Sequence, residues 1–143
     1  MGLLSFAKGI GKKLFGDEEE APEKLKKHIE ADNPGINNLE IKVENGVATI
    51  KGDTDDPSAL EKVILMTGNA LGIEEVRAEE VSAPAQTATV DYYEVKKGDS
   101  LWKIAQNAYG DGNRHPDIFE ANKEVIQNPD LIFPGQMLRV PKD

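Results

Sequence analysis

"LEIKVENGVATIKG" (residues 39–52) is a β-hairpin on its own chemistry. Asn45-Gly46 supplies two adjacent positions that tolerate positive φ, which a two-residue type I′ turn requires. That turn sets Val43 opposite Ala48 and Ile41 opposite Ile50 on one face. Glu44 with Val47, Lys42 with Thr49 and Glu40 with Lys51 fall on the other. One face is apolar and the other mainly polar, so turn register and hydrophobic pattern agree.

The flanks of the hairpin read as helices. Upstream, Pro22 suits a first helical turn, and Leu25 and Ile29 lie one turn apart on an amphipathic helix. Downstream, Asp56-Pro57 forms an N-cap and first helical position, and Leu60, Val63, Ile64, Thr67 and Leu71 make a buried stripe. "TGNALGIEEV" (67–76) closes that helix at Gly68 to Gly72 and enters a strand through Val76 and Ala78. The resulting order is helix, strand, strand, helix, strand. It is bounded by the charged break "GDEEEAPE" (16–23) and by "SAPAQTATV" (82–90), an uncharged linker rich in Ala and Thr.

Beyond the linker a second small module reads as strand, helix, helix, strand. Asp99 or Ser100 caps a helix whose Leu101, Ile104, Ala105 and Ala108 face inward. Pro116 starts another helix carrying Ile118 and Phe119, and strands at 92–95 and 137–140 can pair antiparallel. The fold class is therefore α+β in two modules. Segments are assigned as 1–21 (N-terminal), 22–82 (first module), 83–91 (linker) and 92–143 (second module).

Composition narrows the chemistry. The chain has 143 residues, 38% apolar and 30% charged, and its 26 acids against 17 bases leave a net charge of −9. Such a balance disfavours nucleic acid as a partner. The absence of cysteine excludes disulfides and thiolate metal sites. His28 and His115 have no spaced partners for metal or nucleophilic work. "DTDD" (53–56) lacks the glycine and distant glutamate of a calcium loop, and Asp56 already serves as an N-cap. The chain is read as a non-enzyme and a monomer without an organic cofactor.

The opening "MGLLSFAKGIGKKLF" (1–15) has no apolar run longer than Leu3-Leu4, and Lys8, Lys12 and Lys13 break up the remainder. Phe6 stands where N-myristoylation needs Ser or Thr. Leu3, Ala7, Ile10 and Leu14 recur at helical spacing, predicting an amphipathic helix that docks on the first module in preference to a membrane surface. With no export signal in this stretch, the expected location is the cytoplasm.

Residues 22–82 resemble a BON domain in element order and in the glycine-bearing helix end. The second module resembles LysM along its whole length. It carries Tyr93-x-Val95, Gly98-Asp99-Ser100-Leu101-x-x-Ile104-Ala105, Tyr109-Gly110, Asn122 and Pro134-Gly135-Gln136-x-Leu138-x-Val140-Pro141. One BON, one LysM and the short N-terminal segment together resemble the bacterial cytoplasmic potassium-binding protein (Kbp) family. That resemblance implies ion sensing under stress: binding of K⁺ and larger monovalent cations in preference to Na⁺, with closure to a compact state.

The resemblance also implies a carbonyl ligand set: Ala7, Lys8 and Ile10 from the first segment, and Gly68, Ala70 and Ile73 from the helix end. Backbone carbonyls can replace the hydration shell of K⁺. A helix C-terminus offers unpaired carbonyls carrying partial negative charge. From LysM comes a possible groove for N-acetylglucosamine chains or a protein, between Gly98, Asp99, Ser100, Leu101 and Asn128, Pro129, Asp130, Leu131, Ile132. The alternatives are a peptidoglycan-binding LysM protein and a peripheral phospholipid-binding BON protein.

Overall fold

The computed structural model describes residues 3–6, 11 and 13–142. The first module is a four-stranded sheet covered by helices. Its elements are β1 (Leu3–Ser5), α1 (Ala21–Ala31), β2 (Asn37–Glu44), β3 (Val47–Asp53), α2 (Pro57–Gly68) and β4 (Glu75–Ser82), in strand order β1-β4-β3-β2. β2 and β3 pair antiparallel in the register fixed by Asn45-Gly46: Val43 faces Ala48 and Ile41 faces Ile50. Asn45 and Gly46 have φ of 51° and 79°. β3 and β4 pair in parallel, with α2 as the crossover between them.

Both helix starts use the expected residues. Pro22 lies in the first turn of α1, and the Asp56 side chain accepts a hydrogen bond from Ser58 N at 2.9 Å. Leu25 and Ile29 of α1 and Leu60, Val63 and Ile64 of α2 join Ile41, Ala48, Ile50, Val76 and Ala78 in one buried core.

The N-terminal stretch differs from its expected form. Leu3–Ser5 is a strand, antiparallel to β4 with Leu4 opposite Val76, so the sheet gains a fourth strand beside the expected three. No helix occurs before Glu18 among the described residues; Ala7 and Ile10 of the expected stripe lie outside them. The physical reason is cooperativity. A helix this short is marginal in water, and Gly9, Gly11 and Gly16 weaken it further. The free edge of β4 meanwhile offers a ready ladder of hydrogen bonds.

The second module contains β5 (Val90–Glu94), α3 (Leu101–Tyr109), α4 (His115–Ala121) and β6 (Met137–Pro141). β5 and β6 pair antiparallel, Tyr93 opposite Leu138. Val95, Leu101, Ile104, Ala105, Ile118, Ile126, Leu138 and Val140 form its core. Ser100, and not Asp99, caps α3, accepting from Lys103 N at 3.2 Å. Asn122 is fully buried: its Nδ2 donates to the Ile118 and Arg139 carbonyls and its Oδ1 accepts from Arg139 N, each at 2.8 Å. One side chain thus ties β6 to α4.

The two modules are docked, which the amphipathic pattern of α2 does not foretell. Glu61, Leu65, Met66 and Asn69 are buried along with its apolar stripe. Asn69 acts as a fork on the backbone of β6: its Oδ1 accepts from Met137 N at 2.8 Å and its Nδ2 donates to Met137 O at 2.9 Å. Glu61 meets Arg139 at 2.8 Å, with side chains only 4% and 5% exposed. The guanidinium also donates to Ala121 O at 2.7 Å and Ser58 Oγ at 3.0 Å. Gln86 of the linker donates to Ser58 Oγ at 3.2 Å and Glu61 Oε2 at 3.3 Å. Lys62 pairs with Glu124 at 2.7 Å at the margin.

Candidate functional site

The end of α2 is built to present backbone. The helix stops at Gly68, Asn69 caps it with N–H bonds back to Leu65 O and Thr67 O, and Gly72 turns the chain at a φ of 103°. Ile73 N then donates to Ala70 O at 3.2 Å. The segment is held from below by its own side chains: Ala70 and Ile73 are fully buried in the core. Buried side chains thereby fix the backbone of this turn.

Phe6, Gly11 and Phe15 belong to an N-terminal arm and lie against this segment. Phe6 N donates to Glu74 O at 2.7 Å, and its ring covers Gly68 so closely that a Cβ there would sit 2.1 Å from it. Gly11 touches the loop backbone directly; a Cβ on it would meet Asn69 O at 2.5 Å and Leu71 N at 2.7 Å. Its φ of 150° adds a second reason for glycine. Phe15 rests on Gly72, where a Cβ would lie 3.2 Å from its ring. Phe6, Leu14 and Phe15 are partly buried against the first core. Backbone therefore meets backbone, with aromatic rings at either end.

Of the six carbonyl positions expected from sequence, Gly68, Ala70 and Ile73 fall on this helix end. Ala7, Lys8 and Ile10 lie outside the described residues. Phe6, Gly11 and Phe15, which press the arm onto the loop, are not among the expected positions. The signal available for them is a pair of glycines set between two phenylalanines in "FAKGIGKKLF".

The loops expected to form the groove of the second module have internal duties. Gly98 turns the chain at a φ of 87°. The Asp99 carboxylate accepts from Tyr93 Oη and, at 2.8 Å, from Lys96 N. The Tyr93 bond holds its carboxyl below the usual value, and the phenol in turn is pushed up to about 12. Ser100 is a cap and Leu101 is core. In the other loop Asn128 Oδ1 accepts from Asp130 N at 2.9 Å, Leu131 N donates to Asn128 O at 3.0 Å, and Ile132 packs on the core. Asn128, Pro129 and Asp130 are exposed, and so is Leu131, at 69%, beside a hollow lined by Val125, Gln127, Phe133 and Gln136. No residue of 98–101 lines that hollow.

The module junction carries one more ionisable group. Burial raises the pKa of Tyr92, and the adjacent Glu61, which its hydroxyl hydrogen-bonds, raises it further. Among the described residues no group of three or more His, Cys, Asp or Glu could hold a metal ion. Nor is any helix there long and apolar enough to cross a membrane.

Comparison with known proteins accounts for both modules. Residues 17–82 match the BON domain and residues 93–141 the LysM domain. An uncharacterized protein of Deinococcus radiodurans is 55% identical over 49 residues, covering 34% of this chain and 19% of that protein. SpoIVD-associated factor A of Bacillus subtilis is 47% identical over 51 residues, 34% of this chain and 12% of that protein. The potassium binding protein Kbp of Escherichia coli O6:H1 is 36% identical over 150 aligned positions that span the whole of both chains. Likeness at that level from end to end places the chain in the family of the potassium binding protein Kbp, a BON domain joined to a LysM domain.

Proposed function

We propose that this protein binds K⁺ in the cytoplasm, using backbone carbonyls gathered where the arm crosses the end of α2. The observation that carries the reading is the direct backbone contact of Gly11 with residues 69–71. Oxygens from two distant segments can surround one ion only where main chain approaches main chain. The proposed donors are Gly68, Ala70 and Ile73 on the helix end and Ala7, Lys8 and Ile10 on the arm. Ala70 O already accepts from Ile73 N, but a carbonyl has two lone pairs. Neutral oxygens suit a large monovalent ion, whereas carboxylate cages suit Ca²⁺. Selectivity for K⁺ and larger ions over Na⁺ follows from a ring of dipoles that is held apart.

The matching test is thermal unfolding in KCl and NaCl at equal ionic strength, for the full chain and for a chain lacking residues 1–13. A ligand present at one hundred times its Kd stabilises the native state by about 2.7 kcal/mol. A potassium-specific rise in Tm that vanishes on truncation supports the site; equal melting in both salts removes it. Closure of the two modules on ion binding belongs to the same proposal. Superimposable small-angle scattering with and without K⁺ would remove that part.

A second reading rests on the hollow beside Leu131, an apolar shelf on a LysM domain that suits a sugar ring. Retention on N-acetylglucosamine polymer, lost in Leu131→Asp, would support it.

A further inference from the structure

The arm leaves the helix end at Phe15 and runs into a 3-10 turn at Glu18–Glu20. There Glu18 reaches a hairpin far away in sequence. Its Oε1 accepts from Asn45 N at 2.8 Å and its Oε2 accepts from Gly46 N at 2.9 Å. The two adjacent N–H groups of the β2–β3 turn point outward together and form a receptor for an anion. One carboxylate fills it with two charge-assisted bonds.

The same turn also holds the cation loop. Gly46 O accepts from Glu74 N at 2.9 Å, and Glu74 O accepts from Phe6 N at 2.7 Å. The Asn45-Gly46 turn is thus a common anchor, with the α2–β4 loop on its carbonyl and the arm on its amides. The arm is pinned upstream at Phe6 and downstream at Glu18, and Gly11 and Phe15 press on residues 69–72 between those pins. Removing the downstream pin loosens the hold of Gly11 and Phe15 on residues 69–72.

We propose that Glu18 is the positioning residue of the cation site: its clasp on the Asn45-Gly46 turn holds the arm over residues 68–73 and so sets the affinity for a monovalent cation. The cation part rests on the function proposed above; the clasp itself does not. Glutamine cannot replace the carboxylate, because only one of its two terminal atoms accepts a hydrogen bond. Neighbouring Glu19 has the same charge and similar exposure but holds no part of the hairpin turn, so it separates geometry from field.

The experiment compares full-length wild type, Glu18→Gln and Glu19→Gln by two readouts. Tryptic cleavage after Lys13 in NaCl reports how often the arm is open, because proteolysis tracks the open population when reclosing is fast. Titration calorimetry with KCl reports affinity. Glu18→Gln should be cleaved roughly fivefold faster and bind K⁺ roughly fivefold more weakly, as loss of one net hydrogen bond implies. Glu19→Gln should match wild type in both. Equal effects in the two variants would assign the result to charge and overturn the clasp, as would wild-type cleavage of Glu18→Gln. Faster cleavage with unchanged K⁺ affinity would overturn the positioning role. If wild type itself ignores K⁺, the proposed function falls, and faster cleavage of Glu18→Gln still upholds the clasp.

Discussion

Gly11 shows how much one missing methyl group can decide. A Cβ there would lie 2.5 Å from Asn69 O, a distance that real Cβ atoms do not reach, and the neighbouring atoms are backbone that cannot swing aside. Gly11→Ala should detach the arm and destabilise the fold by about 1–3 kcal/mol, read from the shift in urea midpoint. Asp99 and Tyr93 make a second case, one that pH can interrogate. The Asp99 carboxyl is held below its ordinary 3.8, so its contribution is full above that value and is lost as pH falls through and beneath it. Tyr93 is raised to about 12, so its part is full below pH 10 and is lost between 10 and about 12. Asp99→Asn should flatten the acid limb of stability against pH, and Tyr93→Phe the alkaline limb. A pH series of melting curves checks both.

At the scale of elements, legibility tracks the range of the interaction. The β2–β3 hairpin can be read residue for residue because Asn45-Gly46 fixes its register locally. The starts of α1, α2 and α3 are legible through Pro22, Asp56-Pro57 and Ser100, which act within one turn of themselves. β1 reads as helix from its spacing because its partner, β4, lies some seventy residues on, and a spacing pattern cannot report a distant edge. α2 looks amphipathic because Glu61, Lys62 and Asn69 are polar; they are interior or interfacial because Arg139, Glu124 and Met137 meet them. The candidate site is legible only as a helix end bearing Gly68 and Gly72, since carbonyl oxygens are common to all residues. Asn69 offers the element-scale test. Asn69→Ala strands the N–H and C=O of Met137 and should cost about 1–3 kcal/mol, seen as a lower midpoint in denaturant.

For the molecule as a whole, the Glu61–Arg139 pair makes two small cores interdependent. Each ion is more than nine-tenths buried and satisfied only while the modules are docked. Arg139→Ala leaves the buried Glu61 without its counter-ion and should destabilise by about 3–5 kcal/mol, whereas replacing both with apolar residues, Glu61→Leu with Arg139→Met, should be far milder. Calorimetry of the wild type should give one transition. In Arg139→Ala it should broaden or split, since the BON and LysM cores then melt by themselves.

The charged groups of that junction bear on how the molecule would behave if its modules separated. Separating the modules would bare Glu61, Lys62, Asn69, Glu124 and Arg139, all groups that water solvates well. Two greasy faces coming apart would court aggregation at high concentration. Here the parted faces would mix those groups with apolar side chains such as Met66 and Val125, and the chain as a whole is strongly anionic, so neighbouring molecules repel one another. The charged groups of the junction and the net charge would thus oppose aggregation of any molecule whose modules came apart.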